Sequence, residues 1–123
     1  MSIVIYEPDL LVCSDINETL SAAFPQSEIS ILEAFDLSKL VGNINNTRLA
    51  VLSLRQDQLH QYLPELRNLQ VWFPVICILN DAPRLAKPEP GLRYITRPFS
   101  SNTLLRAVNA ALSDQQLCQQ EMP

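Results

Sequence analysis

Three places in this chain set a side chain able to do chemistry at the end of an apolar run. Glu7-Pro8-Asp9 follows Ser2–Tyr6, Ser53 stands near the end of Arg48–Leu54, and Arg97 follows Leu92–Thr96. Carboxylates beside a hydroxyl could hold a hard cation through oxygen ligands. The hydroxyl could also act as a nucleophile, given a base to activate it. His60 is the only histidine and falls outside the predicted crevice, which leaves such a base missing. Cys13, Cys77 and Cys118 are odd in number and widely separated, with no metal or redox spacing, so they read as small buried or neutral thiols of a reducing cytosol. Gly42 and Gly91 are the only glycines and neither follows an interior strand, so there is no Gly-rich phosphate loop.

The elements that must position these residues alternate strand and helix. Ser2–Tyr6, Arg48–Leu54 and Val75–Leu79 are apolar at both alternate sets of positions, as strands covered on both faces are. Ile29 and Ile31 alternate with Glu28 and Ser30, and Leu92–Thr96 alternates too, so these two strands need only one covered face. Val12, Ile16 and Leu20, joined by Cys13 and Phe24, form the stripe of a first helix, which Pro8 opens and Pro25 stops. Asp36 suits the N-cap of a short helix carrying Leu37, Leu40, Val41 and Ile44 inward. A third helix from about Asp57 carries Leu59, Tyr62, Leu63 and Leu66, and Pro64 is expected to kink or restart it. Ser100 or Ser101 caps a last helix with Leu104, Leu105, Val108, Ala111 and Leu112 on one side.

Between the fourth and fifth strands, Asp81–Gly91 contains Pro83, Pro88 and Pro90 and leaves room for one helical turn at most. A crossover there normally carries a full helix, so the fourth helix is expected to be reduced. Three two-sided and two one-sided strands predict an α/β fold with a five-stranded parallel sheet of order 2-1-3-4-5, helices on both faces. The chain direction reverses between the first and third strands, and ligands of such sheets bind at that point, beyond the carboxyl ends. Glu7, Asp9 and Ser53 should meet there, with Leu79 and Arg97 close by.

The 123 residues suit one domain, with residues 1–113 as its body and 114–123 as an extension or the start of a linker. Hydrophobic residues make up 47% and charged residues 18%, as in an ordinary soluble globular chain. A net charge of −4 offers no basic stripe for nucleic-acid phosphates. No apolar stretch approaches the ~20 residues that span a bilayer. The amino terminus lacks the basic region of a signal peptide, so a cytoplasmic location is expected.

The chain resembles a response-regulator receiver (CheY-like) domain over nearly its full length. Tyr94-Ile95-Thr96-Arg97-Pro98-Phe99 with Ser100–Leu112 resembles the family's aromatic-x-x-Lys-Pro-Phe and closing helix. Phe73-Pro74-Val75-Ile76 resembles the approach to the fourth strand, and Arg48–Leu54 the phosphoacceptor strand. The resemblance implies the three-layer flavodoxin-like fold. It also implies a magnesium-dependent phosphoacceptor aspartate with an acidic pair, a hydroxyl, an aromatic, a lysine and a cis-proline around it. Position by position, Glu7 and Pro8 take the acidic places with Asp9 adjacent, and Ser53 takes the acceptor. Leu79 takes the hydroxyl and Tyr94 the aromatic switch positions, Arg97 the lysine and Pro98 the cis-proline.

The departures from that pattern carry the chemistry. Pro8 has no ligand atom, Ser53 offers a neutral hydroxyl, and Leu79 cannot hydrogen-bond a phosphoryl oxygen, so magnesium binding is not expected. Asp9 is either a ligand or a partner of the helix dipole, the second being favoured. Arg97 either pairs with Glu7 where a metal would otherwise sit or points to solvent. Tyr94 either switches or packs inward in one rotamer. The expectation is an atypical, pseudo-receiver domain of two-component-type signalling, not an enzyme, acting as a phosphorylation-independent interaction or dimerisation module. Its partner face would be the Asp81–Gly91 loop, the fifth strand and the last helix, serving a protein partner, a second copy, a fused output domain or a histidine kinase. Simple loop shortening with no partner is the alternative for that loop. One alternative function is a conventional phosphoacceptor using Ser53 or Asp57. Another is a flavodoxin-like small-ligand binder.

Overall fold

The computed structural model describes residues 1–81 and 92–121. Five strands form one parallel sheet: β1 (Ser2–Tyr6), β2 (Glu28–Ile31), β3 (Thr47–Ser53), β4 (Val75–Leu79) and β5 (Leu92–Thr96), in the order β2-β1-β3-β4-β5. The predicted order is therefore the observed one. Among the described residues four α-helices flank the sheet: α1 (Leu10–Ala23), α2 (Leu37–Gly42), α3 (Gln56–Leu69) and α4 (Ser101–Glu121), and Ile44–Asn46 forms a short 3-10 turn before β3. The expected reduction of the crossover helix falls on residues 82–91, outside the described residues. Helix α4 runs unbroken past residue 113, and Asp114 on it pairs with Arg93 of β5.

Alternation along the strands sorts the core into two layers. Val4, Ala50, Leu52, Cys77, Leu79 and Leu92 face α2 and α3, where Leu40, Leu59, Leu63 and Leu66 cover them. Ile3, Ile5, Leu49, Val51, Ile76, Ile78 and Ile95 face α1 and α4, under Cys13, Ile16, Leu20, Leu104 and Val108. Burying one such side chain contributes about 1.5–3 kcal/mol, so the two-sided strands are held from both directions. Glu7 and Arg97, one residue past β1 and β5, and Ser53, the last residue of β3, continue the α1/α4 set of positions, whereas Leu79 and Tyr94 belong to the α2/α3 face. That parity decides which residues can meet.

Several local expectations change. Ile31 is 48% exposed and Val41 55% exposed, so the outer strand and α2 bury less than their patterns imply. An edge strand has a neighbour on one side only, and a six-residue helix cannot cover it. Helix α3 continues through Pro64 as one element. Its apolar face, Leu59, Leu63, Leu66 and Leu69, stays buried on both sides of the proline and outweighs the lost backbone bond. Pro8 lies outside α1, one residue before the cap. Asp36 caps α2 through the Ser38 amide at 3.0 Å, as expected, and Ser100 caps α4 through the Thr103 amide at 3.1 Å.

Candidate functional site

Helix α1 begins where Asp9 takes the N-cap, its Oδ1 accepting from the amides of Leu11 and Val12 at 3.0 and 3.3 Å. This use of the Asp9 carboxylate draws it away from the crevice and onto the helix end, where a carboxylate is favoured. Glu7 takes the opposite course. Its side chain is 1% exposed, and it sits beside the last residue of β3. The Ser53 hydroxyl donates to Glu7 Oε1 at 2.9 Å, and Arg97 Nη2 donates to the same oxygen as an ion pair. The Asp9 amide donates to Oε2 at 3.2 Å. Of the two readings for Arg97, the structure has the pair with Glu7, and the Arg97-Pro98 peptide bond is cis.

The buried carboxylate therefore has a cation, a hydroxyl and an amide around it. Dry carboxylates persist only when paired and hydrogen-bonded in this way. The charge also reaches the thiol of Cys13, which burial first and Glu7 second push above its ordinary range. A magnesium ion needs several anionic oxygens in octahedral array. Here the one inward carboxylate already has an arginine on it, Pro8 offers nothing, and Ser53 uses its proton on Glu7. Among the described residues no three His, Cys, Asp or Glu side chains stand together as metal ligands. The donor set does not fit that ion.

Above the pair lies a small cavity of about 130 Å3, walled by Tyr6, Pro8, Ser53, Arg55, Asn80 and Arg97 among others. The structure brings Glu7, Ser53 and Arg97 into contact, and Ser53, Arg97 and Pro8 also line the cavity. Leu79 is fully buried on the other face of the sheet, and Tyr94 is half-buried against that same layer. Asp57 pairs with Arg55 at 3.1 Å, both side chains largely exposed, and that guanidinium holds its carboxyl below the ordinary value. Arg55 and Asn80 were not singled out by the sequence. Both lie within two residues of the carboxyl end of an interior strand, which was the available signal. Tyr6, Phe35 and Tyr62 form a tilted aromatic stack beside the crevice, with centroids 5.7 and 5.1 Å apart.

No family model and no curated protein matches the chain. Solved structures do. A CheY-like receiver domain from Methanospirillum hungatei JF-1 is 15% identical over 94% of this chain and 97% of its own, with a TM-score of 0.62. An orphan response regulator of H. pylori matches at 15% identity over 90% of this chain and 96% of its own, with a TM-score of 0.65. An atypical orphan response regulator with a phosphorylation-independent regulatory mechanism matches at 15% identity, covering 92% and 96% of the two chains, with a TM-score of 0.67. At such identities the likeness is one of fold. Among the described residues no helix is long and apolar enough to cross a membrane. The chain has the three-layer, five-stranded parallel fold of CheY-like response-regulator receiver domains.

Proposed function

We propose that this chain is an atypical receiver domain that works without phosphorylation, as a protein-interaction or self-association module in two-component-type signalling and not as an enzyme. The observation that carries the proposal is the state of Glu7, whose buried carboxylate is neutralised by Arg97 and hydrogen-bonded by Ser53. A metal-assisted phosphoryl transfer needs an anionic acceptor and a cation-binding carboxylate cluster. Here Ser53 is a neutral hydroxyl with a carboxylate and a guanidinium beside it, and no imidazole. In this role Ser53, Leu79, Tyr94, Arg97 and Pro98 stand at the acceptor, switch, lysine and cis-proline positions without the switching chemistry. A likeness to an orphan regulator that is itself phosphorylation-independent supports the same reading. The proposed partner face remains the Asp81–Gly91 loop, β5 and α4, with a separate protein, a second copy or a fused output domain as its occupant. The proposed location is the cytoplasm.

Incubation with a small phosphodonor and magnesium, followed by intact-mass measurement, tests the chemistry. The expected result is an unmodified mass. A stable phosphoryl gain that disappears in Ser53→Ala would overturn the proposal. Light scattering over a concentration series tests self-association.

A further inference from the structure

We infer that the groove between α1 and α4 is a binding site for a small organic cation with an apolar body, such as an alkylammonium. The groove has a volume of about 750 Å3, within the range of small-molecule sites. Its floor is the buried pair Ile16 and Leu104, and its walls are the half-buried Val12, Phe99 and Leu105. Thr19 and Ser101 tie the two helices together there, their hydroxyls 3.0 Å apart. The site lies apart from the crevice above Ser53, with which it shares only Arg97. The inference goes beyond the proposed function and does not depend on it.

Charge decides the occupant. Asp15 and Glu18 stand one turn apart on the α1 side of the groove. Both are exposed, and neither side chain has an ion pair among the described residues. Helix α1 carries no Lys or Arg. Arg97 is the one cation in the lining, and Glu7 already neutralises it. Arg106, the only basic residue of α4, does not line the groove. The amino end of α4 at Ser101 favours an anion, but it amounts to about half a charge, against the two whole charges of the acids. An ammonium group at the rim therefore meets net negative charge while its alkyl chain covers Val12, Phe99 and Leu105. A fatty carboxylate would set like charge against the same rim, and a neutral alcohol would bind through its chain alone.

Titration of the 15N-labelled full chain with hexylammonium chloride at pH 7 and constant ionic strength tests this, with 1-hexanol and sodium hexanoate as the uncharged and anionic counterparts. Saturable shifts of the Val12, Asp15, Thr19, Ser101 and Leu105 amides are expected, tightest for hexylammonium and weakest for hexanoate. Changing both exposed acids, Asp15→Asn with Glu18→Gln, should weaken hexylammonium several-fold, to the level of hexanol, and leave hexanol where it was. Added salt should erode the preference for the cation in the same way. Butylammonium should bind more weakly, by up to about fourfold for each methylene lost from the groove. Linear shifts, hexanoate binding as tightly as hexylammonium, or a double variant that binds hexylammonium as before would overturn the inference. So would shifts of the same amides with protein concentration alone, which would mean that a second copy covers the groove.

Discussion

Replacing Arg97 by Met keeps most of the side-chain stem and removes the charge that balances Glu7. The Glu7 side chain is 1% exposed and that of Arg97 27%, so the carboxylate would keep only the Ser53 hydroxyl and the Asp9 amide. Removing one partner of a buried pair costs about 3–5 kcal/mol. The partial exposure of Arg97 and the two remaining donors put this case at the lower end, at about 3 kcal/mol. A domain of this size has a total stability of about 5–15 kcal/mol, so the loss would be large. Changing both residues, Glu7→Gln with Arg97→Met, should cost less than Arg97→Met alone, because no charge is stranded. Urea denaturation of the four proteins, followed by far-UV circular dichroism, closes the double-mutant cycle. We expect a coupling of at least ~1 kcal/mol that survives added salt, since screening acts chiefly on exposed charges. A coupling below about 0.5 kcal/mol, or one erased by salt, would mean that the pair is a surface contact. The reading of Glu7 as a buried carboxylate neutralised by Arg97 would then have no physical basis.

Pro64→Ala should stabilise the protein by about 1–3 kcal/mol, because it restores a backbone bond within the exposed side of α3; a lower urea midpoint would show that the proline serves the helix. Burial pushes the Cys77 thiol up to about 12, and Cys13 is raised as well. A Cys118→Ser protein should therefore react with no equivalents of a disulfide reagent when native and with two when unfolded. The Ser38 hydroxyl and amide hold Asp36 below its ordinary value. A folded pKa below the unfolded one means that this contribution is complete above the unfolded value and is lost as pH falls through the folded one. Carboxyl NMR titration should place the Asp36 midpoint below that of the urea-unfolded chain, and Ser38→Ala, which removes the hydroxyl and keeps the amide, should narrow the gap.

The strand order was legible because burial on one or two faces leaves a period in the sequence, and that period also separates interior from edge strands. Helix caps were legible for a similar local reason: Asp36 and Ser100 satisfy amides two or three residues away. Asp9 was half legible. Its favoured place beside the α1 dipole held, and the structure makes it the cap itself. Pro64 does not restart the helix, because a local rule about a missing N–H says nothing of the leucines that anchor α3 on either side of it.

By itself, the sequence determined the residue types at the carboxyl ends of the strands: one inward acid, a serine, an arginine before a proline, and a leucine where a hydroxyl would be needed. It left open whether Arg97 faced Glu7 or water, and it did not reveal Arg55, Gln58 and Asn80 as walls of one cavity. Only the tertiary structure decided those points. Glu7 and Ser53 are 46 positions apart and Glu7 and Arg97 are 90, so their meeting depends on the register of β1, β3 and β5 across the sheet. A pattern along one element reports which face is dry; which charges share that face is settled when the crossovers set the strands side by side.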